Sequence, residues 1–61
     1  MTEEEIKNYF GNTQVYKFAG TLAELSELMI SIGISYNYLV DQYQVYVVAQ
    51  GEIDDTRATL I

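Results

Sequence analysis

The sequence predicts one small α+β domain, in which a short N-terminal helix precedes a strand, a second helix and two further strands, with a small, about three-stranded sheet packed on the helices. Two observations predict this class. Capping-box patterns at Thr2 and Thr21 mark the starts of two helices, and three segments alternate between apolar and polar residues as strands do. Because the chain has 61 residues, we expect a single domain over 1–61, ending in an acidic segment over 51–61.

The first helix is predicted from Met1 to Asn12. Thr2 can cap it, Glu5 completes the capping box, and Gly11 ends it. Its apolar face consists of Ile6, Tyr9 and Phe10. This face is expected to be buried, either on the body of the protein or on a second chain.

Thr13 to Ala19 form the first predicted strand, with Tyr16 and Phe18 on one face and Val15 and Lys17 on the other. Gly20 ends this strand.

The second helix is predicted from Thr21 to Ile32, with a capping box between Thr21 and Glu24 and a left-handed stop at Gly33. Its apolar stripe consists of Leu22, Leu25, Leu28, Met29 and Ile32. Ala23 and Ile30, seven residues apart, form a second apolar line beside it. Either the N-terminal helix covers Ile30, or this line is a helix–helix dimer contact.

Ile34 to Val40 and Tyr43 to Gln50 predict a hairpin with Asp41-Gln42 as its turn. The predicted register pairs Val40 with Tyr43, Tyr38 with Val45, Tyr36 with Val47 and Ile34 with Ala49, all on the core face. The opposite face includes Leu39, Tyr46 and Val48. That face is either a binding surface or is covered by the first helix or the C-terminal segment.

The arrangement expected from these elements has both helices on one face of the sheet. The segment 51–61 is either a flexible acidic tail or a short closing element. Four of the six tyrosines fall in the hairpin; we expect two or three of the six in the core and the others at a functional surface.

Composition excludes several classes of protein. Without Cys or His there is no disulfide framework, thiolate zinc site or Ser/His or Cys/His catalysis, and no Gly-rich loop with Lys forms a phosphate cradle. A net charge of -6 with three scattered cations argues against direct nucleic-acid binding. The sequence shows neither a membrane span nor a signal peptide, so the cytoplasm is the expected location.

Carboxylates are the remaining chemical groups. Asp41, Glu52, Asp54 and Asp55 could supply an acid/base pair or cation ligands, but their spacing fits no calcium loop. We therefore expect no enzyme, no metal and no cofactor.

The small size of the domain favours self-association, because a chain near 60 residues is marginally stable without disulfides or metal. We expect a homodimer. The candidate self-association residues are Ile6, Tyr9, Phe10, Ala23 and Ile30.

Acidity and tyrosine content together predict a protein-binding module that inhibits or modulates a larger protein, such as a nucleic-acid-handling enzyme with a basic groove. The candidate partner-binding residues are Leu39, Tyr46, Val48, Glu52, Asp54 and Asp55. As a class, a tiny acidic chain without Cys resembles phage-encoded inhibitors such as uracil-DNA glycosylase inhibitors and anti-CRISPR proteins, although it carries no motif of either. The alternative is a small-ligand-binding or structural assembly module acting as a homo-oligomer. If the acidic groups formed one contiguous patch, the inhibitor hypothesis would gain; if dispersed, their charge would serve solubility.

Overall fold

The computed structural model describes residues 1–11 and 14–61. The helices and strands, in chain order, are α1 (Glu3–Tyr9), β1 (Val15–Phe18), α2 (Leu22–Ile32), β2 (Tyr36–Asp41), β3 (Gln44–Ala49) and β4 (Ala58–Leu60). The α+β class with a small sheet is confirmed, and the sheet has four strands. The predicted end of the first helix at Asn12 and the predicted start of the first strand at Thr13 lie outside the described residues.

Both helices begin at the predicted capping boxes. The Thr2 hydroxyl accepts from the Glu5 N–H at 3.2 Å, and the Glu5 carboxylate accepts from the Thr2 N–H at 2.9 Å. Thr21 and Glu24 make the same exchange at 3.1 and 3.0 Å. Gly33, with φ 68°, ends α2 in the left-handed conformation that favours glycine.

The sheet is antiparallel with strand order β2-β3-β1-β4. Phe18 pairs with Val45 of β3 on one side and with Ala58 of β4 on the other. Two further backbone bonds hold the C-terminal segment: Ala19 N–H to the Arg57 carbonyl at 2.8 Å and Ile61 N–H to the Val15 carbonyl at 3.0 Å. Of the two alternatives for 51–61, the structure shows the closing element.

The main core lies between α2 and one face of the sheet. Leu25 and Met29 of α2 are fully buried there against Phe18 and Val47, and Ile53 reaches the same cluster from the loop between β3 and β4. This face carries the predicted strand residues, so the alternation correctly assigned the core face.

A second, smaller core lies on the other face of the sheet, under α1. Ile6 is fully buried against Val15 and Tyr46, with Leu39 and Val48 packed around them. The two helices therefore cover opposite faces, and the prediction that both lie on one face is wrong. The physical reason is that β1 and β3 carry apolar side chains on both faces, so each face requires its own cover.

The position of α1 also corrects the prediction that the N-terminal helix covers Ile30. Ile30 is 77% exposed on α2, because α1 lies across the sheet from it.

The hairpin turn is Gln42-Tyr43, so the prediction of Asp41-Gln42 is wrong. Asp41 pairs with Gln44, and the predicted partner of each β2 residue is displaced by two positions: Tyr38 lies opposite Val47 and Tyr36 opposite Ala49. A shift of two leaves the side-chain faces unchanged. The pairing of β3 with β1 fixes the position of β3 in the sheet. The Gln44 side-chain amide adds to this pairing by donating a hydrogen bond to the Phe18 carbonyl at 3.0 Å.

Within the described ranges, no helix is long and apolar enough to cross a membrane.

Candidate functional site

The tip of the β2–β3 hairpin presents a fully exposed aromatic side chain. Tyr43 is 100% exposed, the highest exposure among the large apolar side chains of the described residues. Gln42 and Tyr43 have φ values of 49° and 69°, the positive pair that characterises a type I′ turn. Such turns usually place Asn-Gly or Asp-Gly at these positions, because both residues must be left-handed. Here the second position carries a tyrosine.

A tyrosine at this position opposes folding. A left-handed conformation costs a residue with a Cβ about 1–2 kcal/mol. The side chain of Tyr43 recovers none of that cost by burial, since all of it faces solvent. The folded monomer therefore holds this ring at the tip without using it for packing.

Carboxylates flank the tip on the side of α1. Asp41, at the base of the turn, accepts a hydrogen bond from the Met1 ammonium at 2.9 Å, and this bond raises the pKa of that amine. The Thr2 N–H holds the pKa of Glu5 below its ordinary value, while the nearby Asp41 carboxylate opposes the shift. Glu3 and Glu4 precede Glu5 in the same exposed first turn. The N-terminal end of α1 thus adds negative charge beside the hairpin.

A second acidic group lies at the start of α2. Arg57 approaches Asp55 at 3.1 Å and Glu24 at 3.8 Å, and its guanidinium lies 5.3 Å from the centre of the Phe18 ring. The bond with Arg57 lowers the pKa of Asp55, and the capping bonds from Thr21 lower that of Glu24. These two carboxylates act within the fold, by holding the loop before β4 against the rest of the chain.

Both acidic groups lie at the same end of the sheet. This is the end at which the β2–β3 turn lies. Asp41 is the last residue of β2 before the turn, and it pairs with Gln44. Phe18 pairs with Val45, the next residue of β3, and Ala58 pairs with Phe18. Asp41 on β2 and Arg57 before β4 are separated by three strand spacings, about 14 Å. The acidic side chains there form two groups with a cation in each, not one contiguous patch, so the inhibitor hypothesis gains no support from their distribution. The α1 group is the one beside the hairpin turn.

The structure places the predicted partner-binding residues in two settings. Leu39, Tyr46 and Val48 lie beneath α1, and Tyr46 is 7% exposed, so these three pack the second core. Glu52 and Asp54 are exposed in the loop between β3 and β4, whereas Asp55 is bonded to Arg57.

The predicted self-association residues are likewise separated. Ile6 is buried and Phe10 is half-buried in the second core, between α1 and the sheet. Tyr9, Ala23 and Ile30 are exposed. Because α1 and α2 cover opposite faces, these five residues do not form one surface.

An open cleft lies at the end of the hairpin away from the turn. Its volume is about 360 Å³, and it is lined by Ser35, Tyr36, Asn37, Val48, Ala49 and Gln50. No Asp, Glu, Lys or Arg lines it, so the cleft offers no acidic or basic side chain to a ligand. No group of three or more carboxylates that could hold a metal ion occurs among the residues that the structure describes.

The alternation pattern predicts Tyr43 at the first position of a strand on the core face, whereas the structure has it exposed in the turn. The chain carries no Gly or Asn at 41–44, the usual signal that positions such a turn. No residue of this segment therefore signals that Tyr43 lies in the turn.

Comparisons with protein-family models, with curated proteins and with solved structures found no match to this chain, so its function is inferred from the geometry of this surface.

Proposed function

We propose that this chain is a protein-binding module that inserts the tip of its β2–β3 hairpin into a larger protein, with Tyr43 as the anchor. The observation that carries this proposal is a fully exposed aromatic ring on a turn that disfavours it. Strained backbone is retained where the surrounding structure enforces it, and it clusters at functional sites. Tyrosine is also among the residues that contribute most to protein interfaces.

The charge around the tip indicates the chemistry of the partner. Asp41 directly precedes the turn, and its bond with the Met1 ammonium brings the first turn of α1, with Glu3 and Glu4, to the hairpin. The whole chain carries a net charge of -6. The complementary surface is an apolar pocket for a phenol ring, with lysine or arginine on its rim. Nucleic-acid-handling proteins carry basic grooves of this kind, and occupying such a groove would inhibit or modulate the larger protein.

The first experiment compares proteins captured from a cell lysate by immobilised wild-type chain, Tyr43→Gly and Tyr9→Ala. Glycine removes the ring while satisfying the turn, so loss of binding cannot be attributed to unfolding. Tyr9 is a matched control because it is an exposed tyrosine, at 62%, on α1. We expect a protein that wild type and Tyr9→Ala retain and Tyr43→Gly loses. Equal retention by all three variants would refute the role of Tyr43.

The second experiment measures binding rates with the purified partner. Tyr43→Gly should raise the dissociation rate at least about 30-fold, the equivalent of a 2 kcal/mol anchor. The double variant Glu3→Gln/Glu4→Gln should slow association at low salt, because electrostatic steering acts before contact. Glu52→Gln/Asp54→Asn removes the same charge from the β3–β4 loop. If this control slows association as much or more, the steering charges are those of the loop or of the whole chain, and the α1 side of the tip has no special role.

A further inference from the structure

The outer edge of β2 is a backbone surface distinct from the hairpin tip. β2 is the last strand of the sheet on its side. The Gln50 N–H donates to the Ser35 carbonyl at 3.0 Å, and antiparallel pairs alternate between bonded and non-bonded positions. Asn37 and Leu39 therefore direct their backbone groups to β3, like Ser35. The N–H and C=O groups of Tyr36, Tyr38 and Val40 point away from the sheet.

One hydrogen bond confirms this direction. The Tyr38 N–H donates to the Asn37 side-chain oxygen at 3.0 Å and so faces away from β3. Apart from this bond, β2 carries few of the features that protect an edge strand from pairing. Its sequence has neither proline nor lysine, and its single charged residue is Asp41 at its end. The edge at β4 has three residues, half the length of β2.

We propose that the outer edge of β2 pairs with β2 of a second copy of this chain, antiparallel, about a two-fold axis at Tyr38. In this register Tyr38 lies opposite Tyr38 of the copy, and Tyr36 lies opposite Val40. The register has three bonded pairs: Tyr38 with Tyr38, Tyr36 with Val40, and Val40 with Tyr36. Each pair exchanges two N–H···O bonds, so six bonds join the two chains. The two four-stranded sheets become one sheet of eight strands.

Side-chain exposure supports a second copy as the occupant. Tyr38 and Val40 are 45% and 47% exposed and lie on the same face as Tyr36. The Tyr36 and Tyr38 rings are already 6.3 Å apart, so the axis brings four tyrosines together on one face. Aromatic and β-branched pairs of this kind stabilise adjacent strands.

Asp41, the single charged residue of β2, does not oppose this register. Asp41 lies opposite Ser35 of the copy, and the two Asp41 residues are six steps apart along the paired strands, about 20 Å. Charges at that distance are largely screened at physiological salt, where the screening length is about 8 Å. The Asn37 side chain must release the Tyr38 N–H before the two β2 strands can pair. This side-chain hydrogen bond therefore weakens the dimer.

Cysteine cross-linking tests the position of the axis, because the natural chain has no cysteine. Tyr38→Cys places two sulfurs at a bonded antiparallel pair, whose Cα atoms are about 5.5 Å apart, within the range for a disulfide. Tyr43→Cys and Ile30→Cys are the controls, since those positions are 100% and 77% exposed. We expect Tyr38→Cys to cross-link at least about tenfold faster than either control. If Tyr43→Cys cross-linked fastest, the cross-links would reflect random collision. If Ile30→Cys cross-linked fastest, the dimer would form through α2. Either result would overturn the proposal.

Sedimentation equilibrium tests the same interface without cysteine. Wild type should show a monomer–dimer equilibrium, with the dimer fraction rising with concentration below about 1 mM. Tyr38→Lys places like charges opposite each other and should weaken the dimer at least about tenfold, while Asn37→Thr should tighten it. Tyr43→Gly should leave dimerisation unchanged, which separates this proposal from the tip. A wild-type chain that stays monomeric to 1 mM, or a dimer indifferent to Tyr38→Lys, would refute it.

Discussion

Replacing Tyr43 by glycine should stabilise the protein, although it removes an aromatic side chain. Relief of the left-handed strain contributes about 1–2 kcal/mol. The extra freedom of glycine in the unfolded chain offsets about 0.4–1 kcal/mol of that gain. No burial is lost, because the Tyr43 side chain is 100% exposed. The net gain should lie between about 0 and 1.6 kcal/mol. Its midpoint, about 0.8 kcal/mol, raises the Tm of a domain this small by about 3–6 °C.

Thermal and urea unfolding at low micromolar concentration measure this effect on the monomer. The matched control is Tyr9→Gly, at an exposed tyrosine in the last turn of α1, where glycine should destabilise because it is a poor helix former. Adding Gln42→Asn to Tyr43→Gly should increase the stability further, since asparagine tolerates the left-handed region. A Tm for Tyr43→Gly below that of wild type would show that Tyr43 supports the fold, and its proposed role as a partner anchor would lose its main argument.

Two further predictions concern the core and the pH dependence. Leu25→Ala removes a fully buried side chain from the main core and should destabilise the fold by about 2–4 kcal/mol, measured by urea unfolding; wild-type stability would contradict the packing of α2. Asp55 has a pKa lowered from 3.8 by the hydrogen bond from Arg57, so its contribution to stability is present above pH 3.8 and is lost as the pH falls through its lower folded value. Asp55→Asn should therefore reduce the acid sensitivity of the melting temperature below about pH 4, and an unchanged acid profile would exclude a contribution from this pair.

Local signals in the sequence predicted the elements well. The capping boxes at Thr2 and Thr21 and the stop at Gly33 act within one turn of helix, so their residues alone suffice to identify them. The alternation in the hairpin fixed which side chains face the core, even with the wrong turn, because a register shift of two preserves the faces.

Features that depend on distant contacts could not be predicted in the same way. The side of the sheet that α1 covers depends on apolar side chains of β1 and β3 acting together. β4 is three residues long and becomes a strand through its pairing with β1. The candidate site was missed because the turn lies one residue later than predicted, at Gln42-Tyr43, which places Tyr43 in the turn instead of in the strand.

The central position of β1 in the sheet affects the order in which the protein folds. β1 emerges from the ribosome before both of its neighbours, β3 and β4, which lie about 30 and 40 residues later in the chain. The β2–β3 hairpin is local and can form within microseconds, whereas the pairing of β1 requires closure of a long loop. On the ribosome, Val15 to Phe18 therefore remain an unpaired apolar strand until β3 has emerged, and β4 joins last. Folding of the nascent chain should consequently be most vulnerable to aggregation and proteolysis in this interval.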